Sequence, residues 1–217
     1  MIDGIQVKVC GLTSLVDAAF ADACGVDYLG FILYPKSPRY VSIAQYKSMA
    51  PRLPARHKVA VTVEPSQDAL RAMRDLGFKH FQVHFRHDLP LAEIEGWTHA
   101  VGAEALWLAP KLPPEVDIPP GWLALSRGIL LDTFDKSLFG GTGRTSDWAK
   151  FKRHRQRQPG KTWILSGGLN PENVGEALAK TGARIIDVNS GVESAPGVKD
   201  HAKLKAFAAA VGQAMGR

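Results

Sequence analysis

Short apolar runs alternate with helix-patterned segments along this chain. No β-hairpin signal interrupts the first four units, and the runs stop on reactive or glycine-rich residues. Together these predict an α/β fold of parallel strands joined by crossover helices. Four strand–helix units fill about 85 residues, so the 217-residue chain holds roughly eight, which favours a closed (β/α)8 TIM barrel over an open sheet. A single domain is expected over residues 1–217, since no linker, solenoid repeat or low-complexity segment divides them.

Residues 5–9 form the first predicted strand, which stops at Cys10-Gly11. Leu15, Ala18, Ala19 and Ala23 then share one helical face over 14–24, and Gly25 ends that helix. Strand two, 28–32, runs into Tyr34-Pro35-Lys36-Ser37-Pro38-Arg39-Tyr40, which its two prolines hold extended. Ser42 caps a helix to about residue 51. The valine-rich strand three, 58–63, precedes a helix over 66–76 that Gly77 closes; strand four, 79–84, precedes a helix over 88–101. After strand five, 104–108, the segment 109–120 holds five prolines and excludes a regular helix, so the fifth crossover is expected to be irregular, with one turn near Trp122. Strand six, 128–131, ends at Asp132 and is followed by a glycine loop over 138–145. Asp147 caps helix six, 148–156. Strand seven, 162–165, ends on Ser166-Gly167-Gly168, and Asn170 caps a helix with Pro171 just inside it, running to Lys180. Strand eight, 184–186, leads to Asp187-Val188-Asn189-Ser190-Gly191, and Asp200 begins the last helix, through Val211.

The composition, 45% hydrophobic and 22% charged, is that of a globular protein, and no apolar run is long enough to span a bilayer. No signal-peptide pattern is visible, and Cys10 and Cys24 make no disulfide framework, so a cytoplasmic protein without membrane association is expected. The formal charge is +6 and the pI about 9.4. Much of the excess lies in residues 150–157, which read as a solvated helix end rather than a nucleic-acid patch, because no recognition motif or aromatic interleaving accompanies them. A basic balance suits an anionic small substrate.

Barrels place their chemistry at the C-terminal ends of the strands. Those positions hold Cys10, Arg39 beyond strand two, His84, Asp132, Gly167-Gly168, and Asp187 with Ser190-Gly191, while Gly141 and Gly143 lie in the loop after strand six. Cys10 alone fits either a small buried core residue or a reactive thiol. The glycine turns after strands seven and eight let backbone N–H groups approach an oxyanion, and a short helix from Ser190 would add its positive end, so phosphate is expected there. A thiol, a carboxylic acid and an arginine can bind a carboxylate and move a proton. His80, His84 and His87 do not make a metal site, because no cysteine or carboxylate cluster completes a ligand set.

Taken together, Lys8-Val9-Cys10-Gly11-Leu12-Thr13, the Tyr34–Tyr40 loop, Leu131-Asp132 with Gly140-Gly141-Thr142-Gly143 and Asp147-Trp148, Ser166-Gly167-Gly168-Leu169-Asn170-Pro171-Glu172-Asn173-Val174, and Asp187-Val188-Asn189-Ser190-Gly191-Val192-Glu193 with Pro196-Gly197-Val198-Lys199-Asp200 resemble the phosphoribosylanthranilate isomerase family. The resemblance runs from residue 7 to about 208. It implies an aldose–ketose isomerase of tryptophan biosynthesis that works without a cofactor. N-(5-phosphoribosyl)anthranilate would undergo an Amadori rearrangement to 1-(2-carboxyphenylamino)-1-deoxyribulose 5-phosphate. It further implies Cys10 as general base, Asp132 as general acid and Arg39 as the holder of the anthranilate carboxylate. Substrate-binding roles are expected for His84, Gly141, Gly143, Gly167, Gly168, Asp187, Ser190 and Gly191. The only expected partner is the phosphorylated small molecule, with the chain a monomer or homodimer.

The chemistry agrees with these assignments. An acid must protonate the furanose ring oxygen, and a base must remove the proton from C2 of the ribose. Asp132 is therefore expected to be held protonated by an apolar site, and Cys10 to have a lowered pKa, with Lys8 on the same strand face contributing. Three stretches depart from the family pattern: Gln82-Val83-His84-Phe85, Thr62-Val63-Glu64-Pro65 and Trp107-Leu108-Ala109-Pro110-Lys111. From these, Phe85 and Trp107 are expected to narrow or repack the anthranilate side of the pocket. A histidine-pathway aminoaldose isomerase would perform the same rearrangement with two aspartates, and Cys10 argues against it. A non-catalytic phosphate-binding barrel is opposed by the intact Cys10/Asp132 pair.

Overall fold

The computed structural model describes residues 1–132 and 147–216. Among these, eight parallel strands pair in chain order: β1 (Gln6–Val9), β2 (Tyr28–Ile32), β3 (His57–Val63), β4 (His80–Arg86), β5 (Leu106–Lys111), β6 (Gly128–Leu131), β7 (Thr162–Leu165) and β8 (Ile185–Val188). β8 returns to β1, with Lys8 opposite Asp187 and Val9 opposite Val188, and closes the barrel that the strand–helix alternation predicts. The helices are α1 (Leu15–Ala23), α2 (Ile43–Met49), α3 (Gln67–Asp75), α4 (Leu91–Val101), α5 (Pro120–Ala124), α6 (Trp148–Arg157), α7 (Val174–Thr181) and α8 (His201–Met215). None of the described helices is long and apolar enough to cross a membrane.

Helix starts follow side-chain capping. Ser14, Ser42, Ser66, Asp147 and Asp200 each accept a hydrogen bond from the backbone N–H three residues on, satisfying a donor that has no partner inside the helix. Asn170 behaves differently. Its Oδ1 accepts from the N–H groups of Glu172 and Asn173 at 3.0 and 2.9 Å, which closes a local turn, and regular helix begins only at Val174 rather than at Pro171.

Strand β5 starts two residues later than expected and continues through Pro110 to Lys111, so the irregular crossover is shorter than residues 109–120. Its one short helix, α5, surrounds the buried Trp122, as expected. The Lys150 ammonium, on α6, donates to the carbonyls of Pro113, Pro114 and Val116 at 2.8, 3.3 and 2.6 Å. Because the prolines there supply no N–H donors, this one cation collects carbonyls that no helix satisfies.

Side chains alternate across each strand, giving two apolar layers. One, including Val7, Val9, Phe31 and Phe85, packs between sheet and helices; the other, including Tyr28, Val61, Trp107, Leu130 and Ile164, fills the barrel. An antiparallel hairpin, β9 (Glu193–Ala195) and β10 (Val198–Lys199), follows β8 and was not among the expected elements. It turns at Pro196-Gly197, where Gly197 has φ 82°.

Candidate active site

A cavity of about 560 Å³ opens at the C-terminal ends of the strands. Cys10, Arg39, His84 and Asp132 line it, and so do Gly167, Gly168, Asp187, Ser190 and Gly191. The fold therefore brings together every expected site residue among those described. Gly141 and Gly143, with the rest of the 138–145 loop, lie outside the described residues.

Cys10 follows β1 directly and is 4% exposed, its N–H donating to the Val188 carbonyl at 2.9 Å. Two residues earlier, Lys8 points into the barrel. Its ammonium lies 2.9 Å from each oxygen of Asp187. Gly30 on β2 makes this possible: a Cβ there would come within 3.0 Å of Lys8 Cε and 3.1 Å of Cys10 Cα. Burial pushes the Cys10 thiol up, and the nearby Lys8 ammonium opposes this without overcoming it, in part because Asp187 adds a negative charge. The expected lowering of the Cys10 pKa is thus corrected: Lys8 does act on the sulfur, but burial of the thiol outweighs it and Asp187 offsets part of its charge.

Gln82 and His84 project into the barrel from β4. The Gln82 amide nitrogen donates to His84 Nε2 at 2.9 Å, and Gln82 also hydrogen-bonds Asp187. Burial, with a smaller contribution from the Lys8 charge, lowers the His84 pKa to about 4, so the ring is neutral at pH 7 with its proton on Nδ1. Asp132 ends β6, three strands from β1 around the barrel, and is half-buried at the rim of the same cavity.

The two glycine turns are built against one another. Gly167 and Gly168 have φ of 94° and 62°, consecutive left-handed residues that side chains disfavour. A Cβ on Gly191 would lie 1.9 Å from the Leu169 carbonyl oxygen. Only glycine allows the β8 turn to approach the β7 turn so closely. Ser190 opens a three-residue 3-10 helix, Ser190–Val192, at this junction. Both turns line the same cavity.

Arg39 crosses the rim from the β2–α2 loop and forms a bidentate pair with Glu193, with Nε and Nη2 at 2.9 and 2.7 Å from Oε1 and Oε2. Glu193, Lys199 and Gln82 carry no expected role from the sequence, although all three lie within or beside the motif stretches. The structure reassigns Phe85 and Trp107. Phe85 packs outside the barrel against Trp97 and Trp122, at 5.4 and 5.2 Å between ring centres. Trp107 lies inside it against Tyr28 and His80, at 5.1 and 5.2 Å. Neither lines the cavity. Since His84 faces inward, the two-residue period of a strand turns Phe85 outward. Among the described residues, no group of three or more His, Cys, Asp or Glu side chains gathers in a metal-binding arrangement.

Residues 7–210 match the family model for N-(5'-phosphoribosyl)anthranilate (PRA) isomerase. The chain is 37% identical over 205 residues to N-(5'-phosphoribosyl)anthranilate isomerase of Aquifex aeolicus, covering 94% of this chain and 96% of that protein. The crystal structure of the Thermotoga maritima phosphoribosylanthranilate isomerase superposes with TM-score 0.80 at 32% identity, covering 98% of this chain and all of that one. A second structure, of monomers generated from that dimeric enzyme, gives 0.76 at 31% identity over 96% and 98% of the two chains. A phosphoribosylanthranilate isomerase in complex with reduced 1-(o-carboxyphenylamino)-1-deoxyribulose 5-phosphate gives 0.75 at 31% identity over 94% and 96%.

Proposed function

The chain belongs to the phosphoribosylanthranilate isomerase family, and from that premise we propose which of its residues carry the rearrangement. The protein converts N-(5-phosphoribosyl)anthranilate to 1-(2-carboxyphenylamino)-1-deoxyribulose 5-phosphate in tryptophan biosynthesis. Protonated Asp132 gives its proton to the furanose oxygen, the C1–O bond breaks, and the nitrogen lone pair forms a protonated imine at C1. The Cys10 thiolate then removes the proton from C2, and the electron pair moves toward the iminium nitrogen to give the enolamine. Loss of the C2 hydroxyl proton and protonation at C1 yield the ketone, so the overall change is an isomerisation.

The remaining residues bind. The backbone of the Gly167-Gly168 and Ser190-Gly191 turns cradles the phosphate. Arg39 holds the anthranilate carboxylate. Neutral His84 presents its Nδ1 proton toward the ribose, with Gln82 fixing its tautomer. Asp187 keeps Lys8 beside Cys10. As the Thermotoga relative and the two free cysteines support, the enzyme works in the cytoplasm as a monomer or homodimer.

The observation that carries this reading is that Cys10 and Asp132 line one cavity together with both glycine turns. Its test is the loss of anthranilate-type fluorescence as phosphoribosylanthranilate is consumed by wild type, Cys10→Ser and Asp132→Asn. Each variant is expected to lose on the order of 10²–10⁴ in kcat while still folding. Undiminished turnover in either removes that residue from the mechanism.

A further inference from the structure

Arg39 sits on a loop, and its side chain is held by a buried cluster that the reaction scheme leaves unused. Glu193 begins the β9–β10 hairpin. One oxygen, Oε1, accepts from Arg39 Nε at 2.9 Å, from Lys199 Nζ at 2.9 Å and from the Gly197 N–H at 3.2 Å. The other, Oε2, accepts from Arg39 Nη2 at 2.7 Å. The Glu193 and Lys199 side chains are 4% and 0% exposed, and Lys199 also donates to Asn189 Oδ1 at 2.9 Å. The arginine stem passes over Gly11, where a Cβ would lie 2.8 Å from Arg39 Cδ. Stem and head are thus held by separate parts of the barrel rim.

A guanidinium can meet a carboxylate through its Nε/Nη2 side or its Nη1/Nη2 end. Glu193 occupies the side, leaving the end for a ligand in the cavity that Arg39 lines. Arg39 and Lys199 together outweigh the single charge of Glu193, so the cluster keeps one net positive charge.

We infer that Glu193 is a positioning residue, which locks Arg39 end-on toward the substrate carboxylate and so sets the preference for a carboxylated aromatic amine. This rests on the reading of Arg39 as the carboxylate holder. Simple charge counting makes the opposite prediction: removing an anion beside an anion site should tighten binding of the carboxylated ligand. A geometric lock predicts that it weakens, because the freed arginine must be ordered again on binding.

The test measures dissociation constants by calorimetry for two ligands, reduced 1-(2-carboxyphenylamino)-1-deoxyribulose 5-phosphate and its phenylamino counterpart without the carboxyl. Wild type, Arg39→Ala, Glu193→Gln and Glu193→Ala are compared, with thermal melts to verify folding. Wild type is expected to prefer the carboxylated ligand about 100-fold. Arg39→Ala should bring the preference to within about threefold. Glu193→Ala should cut it roughly tenfold, and Glu193→Gln less, since its amide oxygen still accepts one guanidinium N–H. The phenylamino ligand, held by its phosphate, should bind every variant within about threefold of wild type. Should Glu193→Ala prove unstable, the glutamine variant, of nearly the same shape, carries the test. An unchanged preference in the Glu193 variants, tighter binding of the carboxylated ligand, or equal loss of both ligands overturns the inference. A preference that survives in Arg39→Ala instead overturns the assignment of Arg39, and the inference with it.

Discussion

The Lys8 ammonium lies 2.9 Å from both carboxylate oxygens of Asp187, and the two side chains are 0% and 5% exposed. They face each other across the β1–β8 seam where the barrel closes. Burial disfavours charge on both groups and pushes the Asp187 carboxyl up, while Asp187 and Cys10 together, by charge and hydrogen bonds, raise the lysine pKa despite its burial, so Lys8 is the cation on which the seam depends. Lys8→Met would leave a buried carboxylate without its cation and should cost about 3–5 kcal/mol of stability. Lys8→Met/Asp187→Leu should recover much of that in urea melts, because no uncompensated charge remains, yet should not recover activity. Equal stability of the single variant and wild type would show that the seam does not depend on the pair.

The raised Cys10 pKa sets the pH dependence. A base works deprotonated, and burial keeps the thiol protonated beyond its ordinary range. In Asp132→Asn, where Cys10 is the one titrating member of the pair, the residual kcat/KM should therefore climb with pH, about tenfold per unit, and continue above pH ~8.5, where an exposed thiol would already level off; in wild type the need for a protonated Asp132 offsets that climb. A profile measured from pH 6 to 10 that levels off below pH 8 would mean that Lys8 and Lys199 hold the sulfur as thiolate.

His80 closes the opposite end of the barrel, 5.5 Å from the Tyr28 ring and 5.2 Å from that of Trp107, with a buried Nδ1 that has no hydrogen bond. Burial, and then the charges of His57 and Arg127, lower its pKa to about 4 from the usual 6.5. Between these values the unfolded chain binds a proton that the folded chain does not, so stability falls as pH drops from 6.5 toward 4. His84 adds a similar contribution. His80→Phe keeps the ring packing and should flatten that acid slope by roughly half in melts at several pH values. A slope that stays unchanged would place the acid sensitivity elsewhere.

Gly191→Ala should disrupt phosphate binding. The new Cβ would meet the Leu169 carbonyl at 1.9 Å, and backbone cannot yield as a flexible side chain does. The two turns must separate, costing about 1–3 kcal/mol of stability. KM for the phosphorylated substrate should rise at least about tenfold as donors move off the anion. Binding of inorganic phosphate offers an independent check, and unchanged affinity would show that the turns do not form the cradle.

Much of the architecture could be read directly from the chain. β2 and β7 lie where the apolar runs place them, and Ser42, Asp147 and Asp200 cap where expected, because strand period and capping are local properties. Boundaries differ from the pattern where other contacts compete with it. β4 extends to Arg86, whose N–H donates to the Glu64 side chain at 2.9 Å, and α7 waits for the Asn170 turn to close. The hairpin β9–β10 had only Pro196-Gly197 as a cue. Phe85 faces outward because His84 beside it faces the mouth, and neighbours on one strand point to opposite faces.

Chain order alone carried the barrel, the strand-end positions of Cys10 and Asp132, and the two glycine turns, because each follows from short-range pattern and from where such barrels keep their loops. It could not carry the charge pairing. Lys8 meets Asp187 across 179 positions and Arg39 meets Glu193 across 154, so only the closed sheet brings them together. That pairing decides how far a lysine shared between a thiol and a carboxylate can offset burial of the thiol, and which edge of an arginine remains for the substrate, since the strength of a buried charge depends on its neighbours in space rather than in sequence.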